Sequence, residues 1–374
     1  MGDDTRTAVT RHGSVYVHDE PFPMESGAVL PSLEIAYTTH GTLNSDGTNA
    51  VLVCHALTGN AHACDANLPS GETIAGWFNG MIGPGKGLDT GRHYVVSSNI
   101  LGSCYGTTGP ASIHPSTGQP YRMTFPQMCV RDMVRAQKLL LDHLGVNRIV
   151  TIIGGSLGGM QALEWAVLYP GMVDSIVPIA TATRHSAWCI GFSEAQRLSI
   201  MNDPGWRGGC YAEQPAHGIA IARGIAMISY RSRPSFQQRF GRREIGEGDG
   251  HERIRLFRSA PLSYAVESYL RYQGQKLVDR FDANTYIYLT RAMDLHDMGA
   301  GRGTIQDVLG NIRARVLSVG ISSDILYPPA EQQELSAAIP GAKYVELDSP
   351  HGHDAFLIEF GWLNAALRAF LPSS

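Results

Sequence analysis

The sequence predicts an α/β protein built on a mostly parallel sheet. Three observations carry that expectation. Short, nearly continuous apolar runs recur at 50–53, 94–97, 148–153, 175–179, 315–319 and 343–347. Such runs suit strands buried on both faces, which is where parallel strands lie. Segments of helical spacing separate them. Residues 130–144 put Val130, Val134, Leu140, Leu141 and Leu144 on one side, and 160–168 follows the third run. The third observation is bulk composition: 374 residues, 43% hydrophobic, 17% charged, net charge −4. That balance excludes a disordered chain and lacks the basic surplus of a nucleic-acid binder. No apolar stretch reaches the length of a membrane-spanning helix. The opening MGDDTRTAVTRHG has no apolar segment, so no secretory signal is expected.

Taken in order, the strand at 50–53 ends in His55-Ala56-Leu57-Thr58-Gly59. A turn placed here can offer the backbone N–H of Leu57 to a developing oxyanion. The plainer reading is an ordinary strand-ending turn, and His55 reads as structural. The strand at 94–97 ends at Asn99. The strand at 148–153 runs into Gly154-Gly155-Ser156-Leu157-Gly158-Gly159, and a helix follows. This is the strand–turn–helix context that a G-x-S-x-G nucleophile elbow requires. Ser156 is the expected nucleophile. Side chains at Gly154 or Gly158 would clash where strand and helix cross. The N–H of Leu157, at the positive end of the helix, is the second expected oxyanion donor.

The rhythm breaks between 184 and 312. That stretch reads as helices at 193–201, 217–229, 260–281 and 284–293, with a Gly- and charge-rich segment at 239–253. We expect a helical lid at 184–312 inserted into a core of 1–183 and 313–374. The strands then resume. The run at 315–319 leads to a loop whose one carboxylate is Asp324, the expected acid of a triad. The run at 343–347 leads to a loop with two candidate bases, His351 and His353. His353 is preferred, because it follows Gly352 and opens an expected helix at 354–360. Together these residues describe acyl transfer: His353 takes the proton of Ser156, and Asp324 orients the imidazole.

Other features carry less. Gly83-Pro84-Gly85-Lys86-Gly87 lacks the spacing of a phosphate loop. The six cysteines show no C-x-x-C pair and no zinc spacing, so free thiols in a reducing cytoplasm are expected. His351 and His353 lack further ligands for a metal, and none is expected. Arg231, Arg233, Arg239, Arg242 and Arg243 form a basic stretch that reads as a solvated face or as a contact for the phosphates of a substrate. Tyr264, Tyr269 and Tyr272 read as lid core or dimer interface.

Several longer motifs go further. HALTGNAHA (55–63), IGPGKGLDT (82–90), SNILGSCYGTTGPASIHP (98–115) and GGSLGGMQALEWA (154–166) resemble the homoserine O-acyltransferases. So do ARGIAMISYRS (222–232), RFGR (239–242), YLRYQGQKLVDRFDANTYIYLTRAMDLHD (269–297), SSDILYPP (322–329) and GHDAFL (352–357). The resemblance runs over almost the whole chain. It implies an α/β-hydrolase fold with a helical lid through which two copies form a homodimer. It implies transfer of an acyl group, most often acetyl, from acyl-CoA to the hydroxyl of L-homoserine, in methionine synthesis. No resident cofactor is implied; acetyl-CoA is a co-substrate. Arg223 matches the residue that binds the substrate carboxylate, with Arg231 as its rival two turns further along. Asp354 matches the acid that binds the substrate amine. Ser103 stands where many members have Gly, which leaves acceptor choice open. The alternatives are a serine esterase, a succinyl donor, or L-serine as acceptor.

Overall fold

The computed structural model describes residues 13–67, 73–245 and 264–371. Its centre is an eight-stranded sheet. The strands are β1 (Ser14–His18), β2 (Leu33–His40), β3 (Ala50–Cys54), β4 (Tyr94–Ser98), β5 (Ile149–Gly155), β6 (Ser175–Ile179), β7 (Arg315–Ile321) and β8 (Lys343–Leu347). Their spatial order is β1-β2-β4-β3-β5-β6-β7-β8. β1 pairs with β2, and β2 with β4, antiparallel. From β4 across to β8 every pairing is parallel. The six apolar runs thus form the parallel part. The two N-terminal strands were not expected from the sequence. β1 is fully buried at no position, and β2 at only two, so neither reads as a continuous apolar run.

The chain passes outward from β3 to β4, then returns across β3 to β5. In open α/β sheets, ligand sites form above the carboxyl ends of strands at such a switch point. The turn after β3 and the turn after β5 both open there.

The helices are α1 (Val130–His143), α2 (Leu157–Leu168), α3 (Ala187–Met201), α4 (Ala216–Tyr230), α5 (Arg233–Phe240), α6 (Ala265–Val278), α7 (Ala283–Asp294), α8 (Ile305–Gly310), α9 (Pro329–Ala338) and α10 (Phe360–Phe370). α1 buries Val130, Met133, Val134, Leu140 and Leu141 along one stripe. α2 lies buried against β5 and β6 and is apolar nearly all round. That suits a helix with no solvent face.

Helices α3 to α8 lie between β6 and β7, and α4 packs against both α3 and α6. α5 and α8 were not anticipated. α5 reads RPSFQQRF and carries little apolar signal; Ser232 starts it by accepting the Ser235 N–H at 3.1 Å. Residues 246–253 of the Gly- and charge-rich segment lie outside the described residues. The helix expected at 354–360 is instead a 3₁₀ turn at Gly352–Leu357 followed by α10. Ile358 N–H bonds to the Ala355 carbonyl at 3.0 Å, the shorter spacing of a 3₁₀ turn. Among the described residues, no helix is long and apolar enough to cross a membrane.

Candidate active site

Ser156 links β5 to α2 with φ +57° and ψ −123°, a conformation that non-glycine residues rarely adopt. The neighbourhood holds it there. Its N–H donates to the Ile179 carbonyl at 2.9 Å, and its carbonyl accepts the Thr181 hydroxyl at 2.7 Å. A Cβ on Gly154 would sit 2.5 Å from the Gly158 backbone, and one on Gly158 would sit 2.2 Å from the Cys54 carbonyl oxygen. The elbow therefore closes only with bare backbone at those two positions. Ser156 itself is buried, at the N-terminus of α2. Among the described residues, neither the Leu57 N–H nor the Leu157 N–H has a protein acceptor. Two unpaired donors thus flank the turns after β3 and β5.

His55 does structural work at the first of these turns. Its Nε2 accepts the Ile100 N–H at 3.1 Å, tying the β3 turn to the loop after β4. Burial pushes its basicity down to about 4.

Asp324 follows β7 and His353 follows β8. The Asp324 Oδ1 accepts the N–H groups of Leu326 at 2.7 Å and Tyr327 at 3.0 Å. Its Oδ2 accepts the His353 Nδ1–H at 2.8 Å. That bond fixes the tautomer and leaves Nε2 as the free face of the ring. Three rings enclose the imidazole: Tyr327 at 5.2 Å, Phe356 at 5.6 Å and Tyr230 at 5.7 Å. Phe356 also lies against Gly155, where a Cβ would come within 2.5 Å of its ring. His351 takes a different place, 4.0 Å from Glu359.

The loop of His353 is tied to the lid. Gly352, at φ +67°, packs so closely on residues 230–232 that a Cβ would meet their backbone at 2.7–2.9 Å. The Ser232 hydroxyl donates to the Pro350 carbonyl.

Arg223 on α4 stacks at 5.7 Å over Tyr230. Among the described residues its guanidinium has no acidic partner within salt-bridge distance. Its charge is felt at Tyr105, Tyr230, Tyr286 and Asp354. Arg231 does not continue the helix. It stands just past the end of α4 in extended conformation (φ −110°, ψ 156°) and pairs with Asp354 at 3.1 Å. Burial pushes the Asp354 carboxyl above its usual range, against the opposing pull of Arg231, His353 and Arg223.

Two of the remaining arginines of the basic stretch serve aromatic partners. Arg239 lies 4.7 Å over Tyr269, and Arg242 donates to the Tyr264 hydroxyl at 2.8 Å. Tyr269 is buried in the lid and Tyr272 is exposed. A groove of about 240 Å³ runs beside Arg231, lined also by Phe236, Arg239, Tyr269 and His351. A larger cavity of about 690 Å³, between residues 182–186, 297–309 and 331–338, contains none of Ser156, Asp324 or His353. Among the described residues, no cluster of His, Cys, Asp and Glu is arranged to hold a metal ion.

Sequence reasoning missed Tyr327, whose ring lies beside His353 and whose hydroxyl is 3.1 Å from His185 Nε2. It also missed the pairing of Arg231 with Asp354. No spacing announces either, because the partners come from different elements.

Comparison with known proteins now bears on this geometry. Residues 49–360 match the family model of the alpha/beta hydrolase fold. A homoserine O-acetyltransferase of Moorella thermoacetica is 53% identical over 354 residues, spanning 93% of this chain and 92% of that protein. The chain belongs to the homoserine O-acetyltransferase family. A second member, from Symbiobacterium thermophilum, is 49% identical across 96% of this chain and 94% of its own length. Among solved structures, the homoserine O-acetyltransferase of Bacillus anthracis superposes with a TM-score of 0.87 at 27% identity, covering 96% of this chain and 97% of that one. Esterase E22 superposes as well, with a TM-score of 0.86 at 28% identity and coverage of 96% and 99%. The scaffold is thus shared by transferases and esterases, and the residues around the serine must separate them.

Proposed function

We propose that this chain transfers the acetyl group of acetyl-CoA to the hydroxyl of L-homoserine through an acyl-serine intermediate. The observation that carries the acceptor is the pair Arg223 and Asp354: Arg223 stacks over Tyr230, a ring beside His353, Asp354 adjoins His353 in sequence, and the two opposite charges act on one another. An amino acid presents one anion and one cation, and this pair meets both. An ester substrate has no use for it.

The steps follow from the residues. His353 Nε2 takes the Ser156 proton as Oγ attacks the thioester carbonyl. The new C–O bond places negative charge on the carbonyl oxygen. The N–H groups of Leu57 and Leu157 receive that charge, each worth about 100-fold in rate. Collapse breaks the C–S bond, and His353 protonates the departing CoA thiolate. L-Homoserine then enters with its carboxylate toward Arg223 and its ammonium toward Asp354. Its hydroxyl gives a proton to His353 and attacks the acetyl-serine. Collapse returns the proton to Ser156 and releases O-acetylhomoserine. Fixing both ends of the acceptor raises its effective concentration at the ester far above that of stray water.

No resident cofactor is required. The anionic end of CoA is assigned to the groove beside Arg231 and Arg239. The reaction places the enzyme in the methionine branch of amino-acid synthesis and in the cytoplasm. Trp188, Ile221, Ile228 and Tyr272 are exposed on the lid helices, which supports a homodimer formed there; its mass in solution tests this.

The similarity to esterase E22 favours a second reading, hydrolysis of the acyl-enzyme. A substrate panel separates them. Purified protein with acetyl-CoA should form O-acetylhomoserine when L-homoserine is present, and little acetate when it is absent. Rapid acetate formation whether or not homoserine is added would favour the esterase. Succinyl-CoA and L-serine in the same assay report donor and acceptor choice, including any effect of Ser103.

A further inference from the structure

Three buried polar side chains join α1 and α2 to the turn after β3. Trp165 on α2 donates its Nε1–H to the Oε1 of Gln137 on α1 at 2.8 Å. Gln137 Nε2 donates to the Oε1 of Gln161, also on α2, at 2.8 Å, and faces the Cys54 Sγ at 3.9 Å. Gln161 Nε2 then donates to two backbone carbonyls, that of Leu157 at 3.0 Å and that of His55 at 3.3 Å. Gln137 is 2% exposed, and Trp165, Gln161 and His55 are wholly buried.

The direction of this chain is forced from both ends. An indole N–H can only donate, so Gln137 must turn its oxygen to Trp165 and its NH₂ to Gln161. The carbonyls of Leu157 and His55 can only accept, so Gln161 must turn its NH₂ to them. The two demands agree, and all four amide hydrogens face an acceptor. Fully paired networks of this kind hold their members rigidly. Yet α2 is buried nearly all round, and an apolar side chain at 161 would avoid the cost of desolvating an amide. What the amide does in return is grip the backbone of two separate segments.

Those segments carry the Leu57 and Leu157 N–H groups. Within the β3 turn the direction of the Leu57 N–H is already set. His55 Nε2 accepts the Ile100 N–H, so its proton lies on Nδ1, which donates to the Ala56 carbonyl at 2.8 Å. The Gly59 N–H donates to the same carbonyl at 2.9 Å. In a trans peptide the carbonyl and the next N–H point opposite ways, so fixing the Ala56 oxygen aims the Leu57 N–H. The freedom left is the placement of the whole turn against α2. The bare backbone of Gly158 lets the two approach closely, since a Cβ there would meet the Cys54 carbonyl oxygen at 2.2 Å. Gln161 keeps them from parting.

We infer that Gln161 is a positioning residue for the oxyanion hole: it straps the β3 turn to the first turn of α2 and so fixes the separation of the Leu57 and Leu157 N–H groups. The inference rests on those two groups receiving the negative charge, as proposed above. Being wholly buried, Gln161 acts through the backbone it holds and touches no substrate.

The test compares two inhibitors of the purified protein. S-Trifluoroacetonyl-CoA adds to Ser156 to give a tetrahedral adduct bearing an oxyanion; CoA binds without one. Gln161→Met keeps the approximate shape and removes both carbonyl contacts. The Ki of the ketone should rise about tenfold, less than the full loss of a donor because the N–H is displaced and not deleted. Pre-steady-state release of CoA from acetyl-CoA should slow by the same factor. The Ki of CoA, the KM for L-homoserine and the pH midpoint of CoA release should stay unchanged, which a general loosening of the core would not allow. If Gln161→Met does not fold, Gln161→Glu takes its place, since a carboxyl group has at most one hydrogen to give to two carbonyls. An unchanged ketone Ki in the folded variant, or equal rises for ketone and CoA, would overturn the inference. A wild-type protein that binds the ketone no more tightly than CoA would instead sink the oxyanion assignment on which it rests.

Discussion

Arg231 pairs with Asp354 at 3.1 Å, joining the end of α4 to the loop that carries His353. Both side chains are only 18% exposed. The carboxylate proposed to receive the substrate ammonium is therefore already paired with a cation. Asp354→Asn removes the charge and keeps the shape. We expect a rise of about tenfold or more in the KM for L-homoserine, the worth of a charged hydrogen bond. CoA release from the first half-reaction should change little. Steady-state kinetics beside a single-turnover assay checks this, and equal losses in both halves would contradict the ammonium role. Arg231→Ala should cost stability instead, about 1–3 kcal/mol, because it leaves a largely buried carboxylate without this partner. Thermal unfolding measures that.

Arg223 differs from Arg231 in having no acidic partner within salt-bridge distance among the described residues. Arg223→Ala should raise the KM for L-homoserine about 10- to 100-fold, with acylation of Ser156 largely spared. Arg223→Lys should recover only part of the loss, since an ammonium cannot offer the paired donors of a guanidinium. An unchanged KM in Arg223→Ala would remove it from the substrate site.

The pH dependence follows from His353. Burial pushes the basicity of the ring down, but the charge and hydrogen bond of Asp324, joined by the charge of Asp354, outweigh burial and hold it above the ordinary value of 6.5. The ring must be neutral to take the serine proton. CoA release should therefore be full at high pH and fall as pH drops through a midpoint above 6.5. Asp324→Asn removes the larger of the two carboxylate charges that oppose burial, leaving that of Asp354, so the midpoint should move down. The maximal rate should fall by about 10⁴-fold, because the amide no longer enforces the tautomer. A pH–rate profile of both proteins decides it; a midpoint that stays put would show that Asp324 does not set this ionisation.

Gly158→Ala puts a methyl 2.2 Å from the Cys54 carbonyl oxygen, backbone against backbone. Neither partner can swing away. Overpacking of this kind costs about 1–3 kcal/mol. We expect a lower melting temperature together with lost fluorophosphonate labelling of Ser156, since the elbow and the β3 turn must part. A stable, fully reactive variant would refute the crossing argument.

What the sequence discloses depends on how local each feature is. The parallel strands are legible because burial on both faces leaves apolar runs. Ser156, Asp324 and His353 are legible because each follows such a run. β1 and β2 escape detection because their faces are mixed, and α5 because its residues are mostly polar. The 3₁₀ turn at 352–357 depends on the approach of residues 230–232, which no local pattern contains. Tyr327 sits in a motif that the sequence singles out, yet its link to His185 and Asp294 arises from tertiary packing alone. Arg231 is misread for a similar reason: helical spacing extends it along α4, whereas the chain turns extended there and aims it at Asp354.

The central claim is a covalent acetyl-serine that waits for an amino acid. The most direct measurement is mass spectrometry of the protein after brief exposure to acetyl-CoA, followed by L-homoserine. The account predicts one acetyl group on the peptide containing Ser156, stable over the time of the assay in buffer and discharged to O-acetylhomoserine on addition of the amino acid; Ser156→Ala should carry none. An acetyl group found on another residue, or none on Ser156 while O-acetylhomoserine still forms, would contradict it.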